Sequence, residues 1–224
     1  MPRSGYGQYC PVAKAAELID QRWTLLVIRE LVAGSTRFND IHRGVPRMSR
    51  TLLSKRLRQL IADGFVQRHQ HPDGPAYELT EAGHQFRKII EDLGEWGVRW
   101  IDSLTEEDLD PAFLLWDMQR SVHTEALPEG RTVLAIIFRD LQGDLRDWWL
   151  VLTCNEVDVC EHDPGFPTDV ILDTVLRTFV RVWRGDIDWA DAVRAGHLAV
   201  RGPTELRRQV PHWFHLSYFS SVPR

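Results

Sequence analysis

The most constraining stretch of this 224-residue chain is SRTLLSKRLRQL, residues 49–60, in which four leucines alternate irregularly with four cations. At about 100° per residue along a helix, Leu52, Leu53, Leu57, Leu60 and Ile61 collect on one side. Thr51, Ser54, Lys55 and Arg58 collect on the other, and Arg50 sits in the first turn. Ser49 precedes the helix as an acceptor for its free N–H groups, and Gly64 follows it as a stop. Such a helix docks by its leucines and presents hydroxyls and cations, which donate to phosphate oxygens and to N7 and O6 of guanine. Arg56 falls beside the leucines, so its stem is predicted to pack and its head to reach backbone or an internal acid rather than a base.

What surrounds this helix decides between a merely solvated face and a DNA-reading one. Apolar residues recur at helical spacing over Val12–Asp20 and Trp23–Val32, and Ser35 or Thr36 is placed to cap a short helix through Arg43 that Gly44-Val45-Pro46 ends. After Gly64 come a strand at Phe65–Arg68, the turn-forming run HPDGP, a strand at Tyr77–Leu79, and a long helix from Thr80 to about Ser103. Helices, then a cationic helix, a hairpin and a closing helix are the order of a winged helix-turn-helix. Within 43–71 there are seven cations and one acid, Asp63. The predicted DNA contacts are Arg50, Thr51, Ser54, Lys55 and Arg58 on the helix, with Thr36, Arg37, Arg47 and Ser49 before it. Arg68, His69 and His71 at the hairpin would follow the phosphate backbone or the minor groove. His69 and His71 have no third ligand in view, so no metal is expected.

YCPVAKAAELIDQRWTLLVIRELVAGSTRFNDIHRGVPRMSRTLLSKRLRQLIADGFVQR, followed by YELTEAG, closely resembles the HxlR-type winged-helix transcriptional regulators over about residues 9–102. The combination of YCPV, W-T-L-L-x-I-x-R-E-L, R-F-N-x-I, T-L-L-S-K-R-L and Y-x-L-T-x-x-G carries the resemblance. It implies a homodimer reading two half-sites of double-stranded DNA, with terminal helices at the dimer interface. Trp96 and Trp100 would then be interface aromatics, the alternative being intramolecular packing. Cys10 stands where several members carry a redox-reactive cysteine, so it is either a thiolate sensor or a small apolar residue.

The second half reads differently. SLTEEDLDP, 103–111, is acidic and ends in proline, which places a junction between a domain at 1–103 and one at 104–224. A helix at 111–122 precedes strands at Thr132–Arg139, Asp147–Leu152, Val157–Cys160 and Asp169–Leu172. Helices at 174–184 and 188–195, a strand at His197–Arg201 and a last helix opened by Pro203 complete an α+β domain. The order strand, helix, W-x-G-D-x-x-W-x-x-A, G-x-L-x-V-x-G, helix over about 110–219 resembles the sterol carrier protein type-2-like fold. That resemblance implies a curved sheet covered by helices around an apolar cavity for a lipid-like ligand. Candidate lining residues are Trp116, Trp149, Phe179, Trp183 and Trp213, with ordinary core as the alternative for each. Adjacent Trp148 and Trp149 must face opposite sides of their strand.

Charge follows the same division: residues 1–103 hold 15 cations against 12 acids, and 104–224 hold 12 against 20. A localised polyanion site belongs to the first half only. No run is long and apolar enough for a bilayer, the first dozen residues lack a secretory signal, and three cysteines make no disulfide framework, so a cytoplasmic protein without membrane insertion is expected. No nucleophile and base in recognisable context and no phosphate loop appear, so neither catalysis nor a cofactor is expected. The expectation is a dimeric DNA-binding regulator, a repressor, that senses an apolar small molecule. The alternative is a lipid carrier whose winged helix serves only for dimerisation.

Overall fold

Leucines at helical spacing bury where the sequence places them. In the computed structural model, which describes residues 5–101 and 103–223, Leu53, Leu57 and Leu60 lie in a core built from the first half of the chain. Burying each such side chain contributes about 1.5–3 kcal/mol. The chain divides into two compact units, one ending at Trp96 and the other beginning at Gly97.

The first unit is a winged helix-turn-helix: α1 Pro11–Ile19, α2 Thr24–Val32, α3 Phe38–Arg43, α4 Arg50–Ala62, β1 Val66–His71, β2 Gly74–Leu79 and α5 Glu81–Gln85. The next helix, α6 Arg87–Trp100, contains the boundary between the units. Val27, Ile28, Leu31, Ile41, Val45 and Met48 join the leucines of α4 in the core. Strands β1 and β2 pair antiparallel from Val66 opposite Leu79 to His71 opposite Gly74, leaving Pro72 and Asp73 as the turn.

Four details differ from the sequence expectation. The single helix predicted from Thr80 is two. Phe86 turns inward against Phe65, with ring centroids 5.4 Å apart, and its N–H bonds to the Gly83 carbonyl in a tight turn that separates α5 from α6. Neither Ser35 nor Thr36 caps α3. Ser35 is buried and its hydroxyl turns to Glu30, while the Thr36 carbonyl accepts from the Tyr77 N–H and Arg37 bridges to Ala76, adding a short third edge to the wing. Trp23, predicted as the first residue of α2, instead precedes it with φ 78, a left-handed conformation that a bulky residue adopts only under constraint. The wing strands also run further than predicted, because β1 past Val66 is wholly exposed and its pairing needs no apolar alternation.

The second unit is α+β. It comprises α7 Pro111–Arg120, β3 Thr132–Phe138, β4 Asp147–Leu152, β5 Val157–Cys160, β6 Val170–Thr174, α8 Leu176–Trp183, α9 Trp189–Arg194, β7 Leu198–Arg201 and α10 Thr204–Gln209. Its five strands form one sheet in the order β5-β4-β3-β6-β7, with β3 antiparallel to β4 and parallel to β6. The central strand β3 is buried almost throughout, as a strand covered on both faces must be. Leu115 and Met118 of α7 and Leu176, Phe179 and Val182 of α8 pack with Leu134, Ile136, Phe138, Trp148 and Leu150 of the sheet. Gly185 and Gly196 stop α8 and α9 with φ 79 and 73, as the sequence predicts. No helix among the described residues is long and apolar enough to cross a membrane.

Candidate nucleic-acid interface

The cationic helix is seated by groups on its buried side. Ser49 caps α4 by accepting from the Leu52 N–H at 3.3 Å. Arg56 is only 6% exposed; its guanidinium donates to the Gln21 side chain and, at 3.3 Å, to the Arg22 carbonyl. The predicted inward role of this arginine is thus what the structure shows, with the strained turn before Trp23 as its target. A second anchor, which ties α2 to the turn after α3, was not predicted. Glu30, at 0% exposure, lies beside the Gly44 turn, where it accepts from Arg29 at 2.8 and 3.1 Å and from the Ser35 hydroxyl at 3.4 Å. Arg29 also donates to the Gly44 carbonyl at 2.7 Å. No local pattern in the sequence marks this contact; in the fold, any Cβ at Gly44 would lie 1.9 Å from the Glu30 side chain.

The opposite side of α4 is open. Arg50, Thr51, Lys55 and Arg58 are exposed and Ser54 is partly so. Arg58 folds back along its own helix to the Ser54 carbonyl at 3.3 Å, and Arg50 reaches across to the Asn39 side chain at 2.8 Å. Arg47 is exposed in the turn before the cap. On the wing, Arg68, His69 and His71 are exposed, and His69 lies 3.4 Å from Glu78 on the paired strand. Arg37 is bound into the wing: it donates to the Gly74 carbonyl at 2.6 Å and approaches Asp73 at 4.0 Å. Thr36 contributes its backbone to the same edge. The predicted contacts therefore fall into a set on α4, the turn and cap before it and β1, exposed except for the partly covered Ser54, and a pair, Thr36 and Arg37, that braces the wing. Among the described residues, no three metal-ligating side chains converge.

Apolar surface is concentrated elsewhere on the unit. Tyr9 and Val12 at α1 and Ile89, Leu93 and Trp96 on α6 are exposed, and α1 has no buried residue. Trp96 and Trp100 are 54% and 72% exposed, so neither is a core aromatic. Cys10 precedes α1, partly exposed and unbonded to another cysteine. The nearby Lys14 ammonium is held by Glu17 at 3.0 Å.

In the second unit the five aromatic candidates are not brought together. Phe179, Trp183 and Trp213 share one core, but Trp149 faces away from it, on the side of the sheet opposite the buried Trp148. Trp116 lies outside that core, partly exposed, with the Arg120 guanidinium 5.9 Å from its ring. Trp183 donates its Nε1–H to Asp117 at 2.7 Å. Trp213 is 0% exposed, and its Nε1 has no hydrogen-bond partner among the described residues.

The HxlR-like helix-turn-helix family model matches residues 18–105. The HTH-type transcriptional regulator YvaP of Bacillus subtilis is 34% identical over 99 residues, spanning 42% of this chain and 92% of that protein. The HTH-type transcriptional regulator Rv3095 of Mycobacterium tuberculosis is 39% identical over 95 residues, 40% of this chain and 58% of that one. Among solved structures, the reduced form of the transcriptional regulator YodB from B. subtilis matches 42% of this chain and 97% of its own, at 28% identity and a TM-score of 0.37.

Proposed function

Because this chain belongs to the HxlR-like helix-turn-helix family of HTH-type transcriptional regulators, we propose that it binds operator DNA as a homodimer and represses transcription. The observation that carries the reading is the exposed face of α4, where Arg50, Thr51, Lys55 and Arg58 stand beside a wing carrying Arg68. A helix in the major groove with a hairpin on the flanking backbone uses both. Dimerisation is supported by the exposed Ile89, Leu93 and Trp96 of α6 and Val12 of α1, apolar positions that a second copy would cover. Repression would follow from occupying the operator. The role is binding rather than catalysis, exercised in the cytoplasm.

For the second unit we hold to a sterol-carrier-like effector domain at residues 104–224. Its support is the five-stranded sheet packed by α7 and α8 and the unpartnered Trp213 Nε1–H, a donor that a largely apolar effector with one acceptor atom would satisfy. An effector acts on DNA binding only by differing in affinity for two dimer geometries. Cys10 would be a second input if its thiolate is oxidised, and a Cys10→Ser variant that responds to oxidants as the parent does would remove it.

Mobility-shift titration against DNA upstream of its own gene tests the main reading. Complex formation that weakens steeply with salt is expected, and no shift with any fragment at low salt overturns it. Joint replacement of Arg50, Thr51, Ser54, Lys55 and Arg58 by alanine separates it from a lipid carrier. Only a regulator loses function with its fold intact.

A further inference from the structure

We infer that Asn39 is a positioning residue for Arg50, and that the guanidinium it holds reads a guanine in each half-site. The inference rests on the DNA-binding reading of α4. Arg50 is the first residue of that helix, exposed, at the end that enters the groove first in helix-turn-helix complexes. A long side chain there ordinarily samples many rotamers. This one is bracketed by α3: its Nη1 donates to Asn39 Oδ1 at 2.8 Å, and its guanidinium carbon stands 6.0 Å from the Phe38 ring centroid. The other exposed cations of α4 show no such tether: Arg58 is bonded to its own helix, and Lys55 has no fork to orient.

The chemistry of the tether fits a reader. A guanidinium has five N–H donors in a rigid plane. One bond from Nη1 leaves the Nε and Nη2 edge intact, a two-donor fork that matches N7 and O6 of guanine. Asparagine orients the cation without neutralising it; aspartate would also hold it but would set a negative charge beside DNA. Asn39 is itself exposed and outside the core, so its replacement leaves the fold in place.

The test selects duplexes from a randomised 24-base-pair library with the full chain, then measures affinities of the selected duplex and of its single-base variants. The parent is expected to select a guanine at a symmetric position, and Arg50→Ala to lose that preference, a bidentate contact giving discrimination of roughly 5- to 150-fold. Asn39→Ala should reduce the preference several-fold with unchanged thermal unfolding, and should have no further effect in the Arg50→Ala background. Asn39→Asp should weaken binding to all duplexes. The inference is overturned if Asn39→Ala keeps the parent's preference, or if it weakens binding equally with and without Arg50. A uniform loss in Arg50→Ala, with a smaller salt dependence and the guanine preference kept, would make Arg50 a phosphate contact and also overturn it. Failure to bind any duplex at low salt would sink the regulator reading itself.

Discussion

Gly44→Ala isolates the anchor that ties the turn after α3 to α2. Gly44 has φ −75, which alanine adopts freely, so any cost is steric. The new methyl would lie 1.9 Å from Glu30 Cδ and 2.0 Å from Oε2, against about 3.4 Å for ordinary contact. Either the Glu30 side chain or the turn must move by more than an ångström. Both routes break bonds: the first removes Glu30 from Arg29 and the Ser35 hydroxyl, and the second withdraws the Gly44 carbonyl from Arg29. Overpacking alone costs about 1–3 kcal/mol, and breaking a buried ion pair about 3–5 kcal/mol. Because the Arg29 side chain retains 28% exposure, the lower part of that range applies; about 3 kcal/mol is expected. Urea unfolding followed by circular dichroism reads this directly. Glu30→Ala opens the space the methyl needs, so the double variant should be less destabilised than the two single variants together. Glu30→Gln keeps the size and should give no such relief. A Gly44→Ala variant within about 0.5 kcal/mol of the parent, the usual scatter of surface substitutions, would show that Glu30 does not fill this turn.

Other substitutions read different parts of the molecule. Arg56→Ala should destabilise by about 1–3 kcal/mol through the lost packing of its buried stem and the Gln21 and Arg22 acceptors it abandons, whereas Arg58→Ala should stay within about 0.5 kcal/mol and lower the salt slope of DNA binding by about 0.9. Thermal unfolding and anisotropy titrations check the pair. On the proposed homodimer, Trp96→Glu places a charge on the apolar face of α6 and should shift sedimentation from dimer to monomer; an unchanged dimer would move the interface elsewhere. Cys160 has its thiol pushed above the ordinary value, first by burial and then by the Asp158 charge, while Cys154 is exposed at the β4–β5 turn. Iodoacetamide near neutral pH should therefore label Cys154 well before Cys160, as read by peptide mass spectrometry.

How much of this was legible depends on whether a residue's role is local. Ser49 as a cap, Gly185 and Gly196 as stops and Arg56 as an inward cation follow from spacing along one helix, and the structure places them so. The strands Asp147–Leu152 and Val157–Cys160 were likewise readable from alternation and a turn, and both have the predicted bounds. Their neighbours were not, since the parallel pairing of β3 with β6 joins segments separated by two other strands, and no local pattern encodes it. Helix continuity failed at Phe86 for a similar reason: its apolar spacing suits an unbroken helix, but the Phe65 ring against which it packs lies across the wing. Glu30 shows the general limit. An acid in an apolar helix reads as a solvated position, and bonds made in space, among them those from Arg29 and Ser35, make its full burial tolerable. The tether from Arg50 to Asn39 is of the same kind: Arg50 was legible as a DNA contact, but Asn39 is an ordinary polar residue in sequence, and the turn between α3 and α4 brings the two within 2.8 Å. The sequence therefore shows which face of α4 is wet, and the fold supplies the side chains that decide how its cations are held.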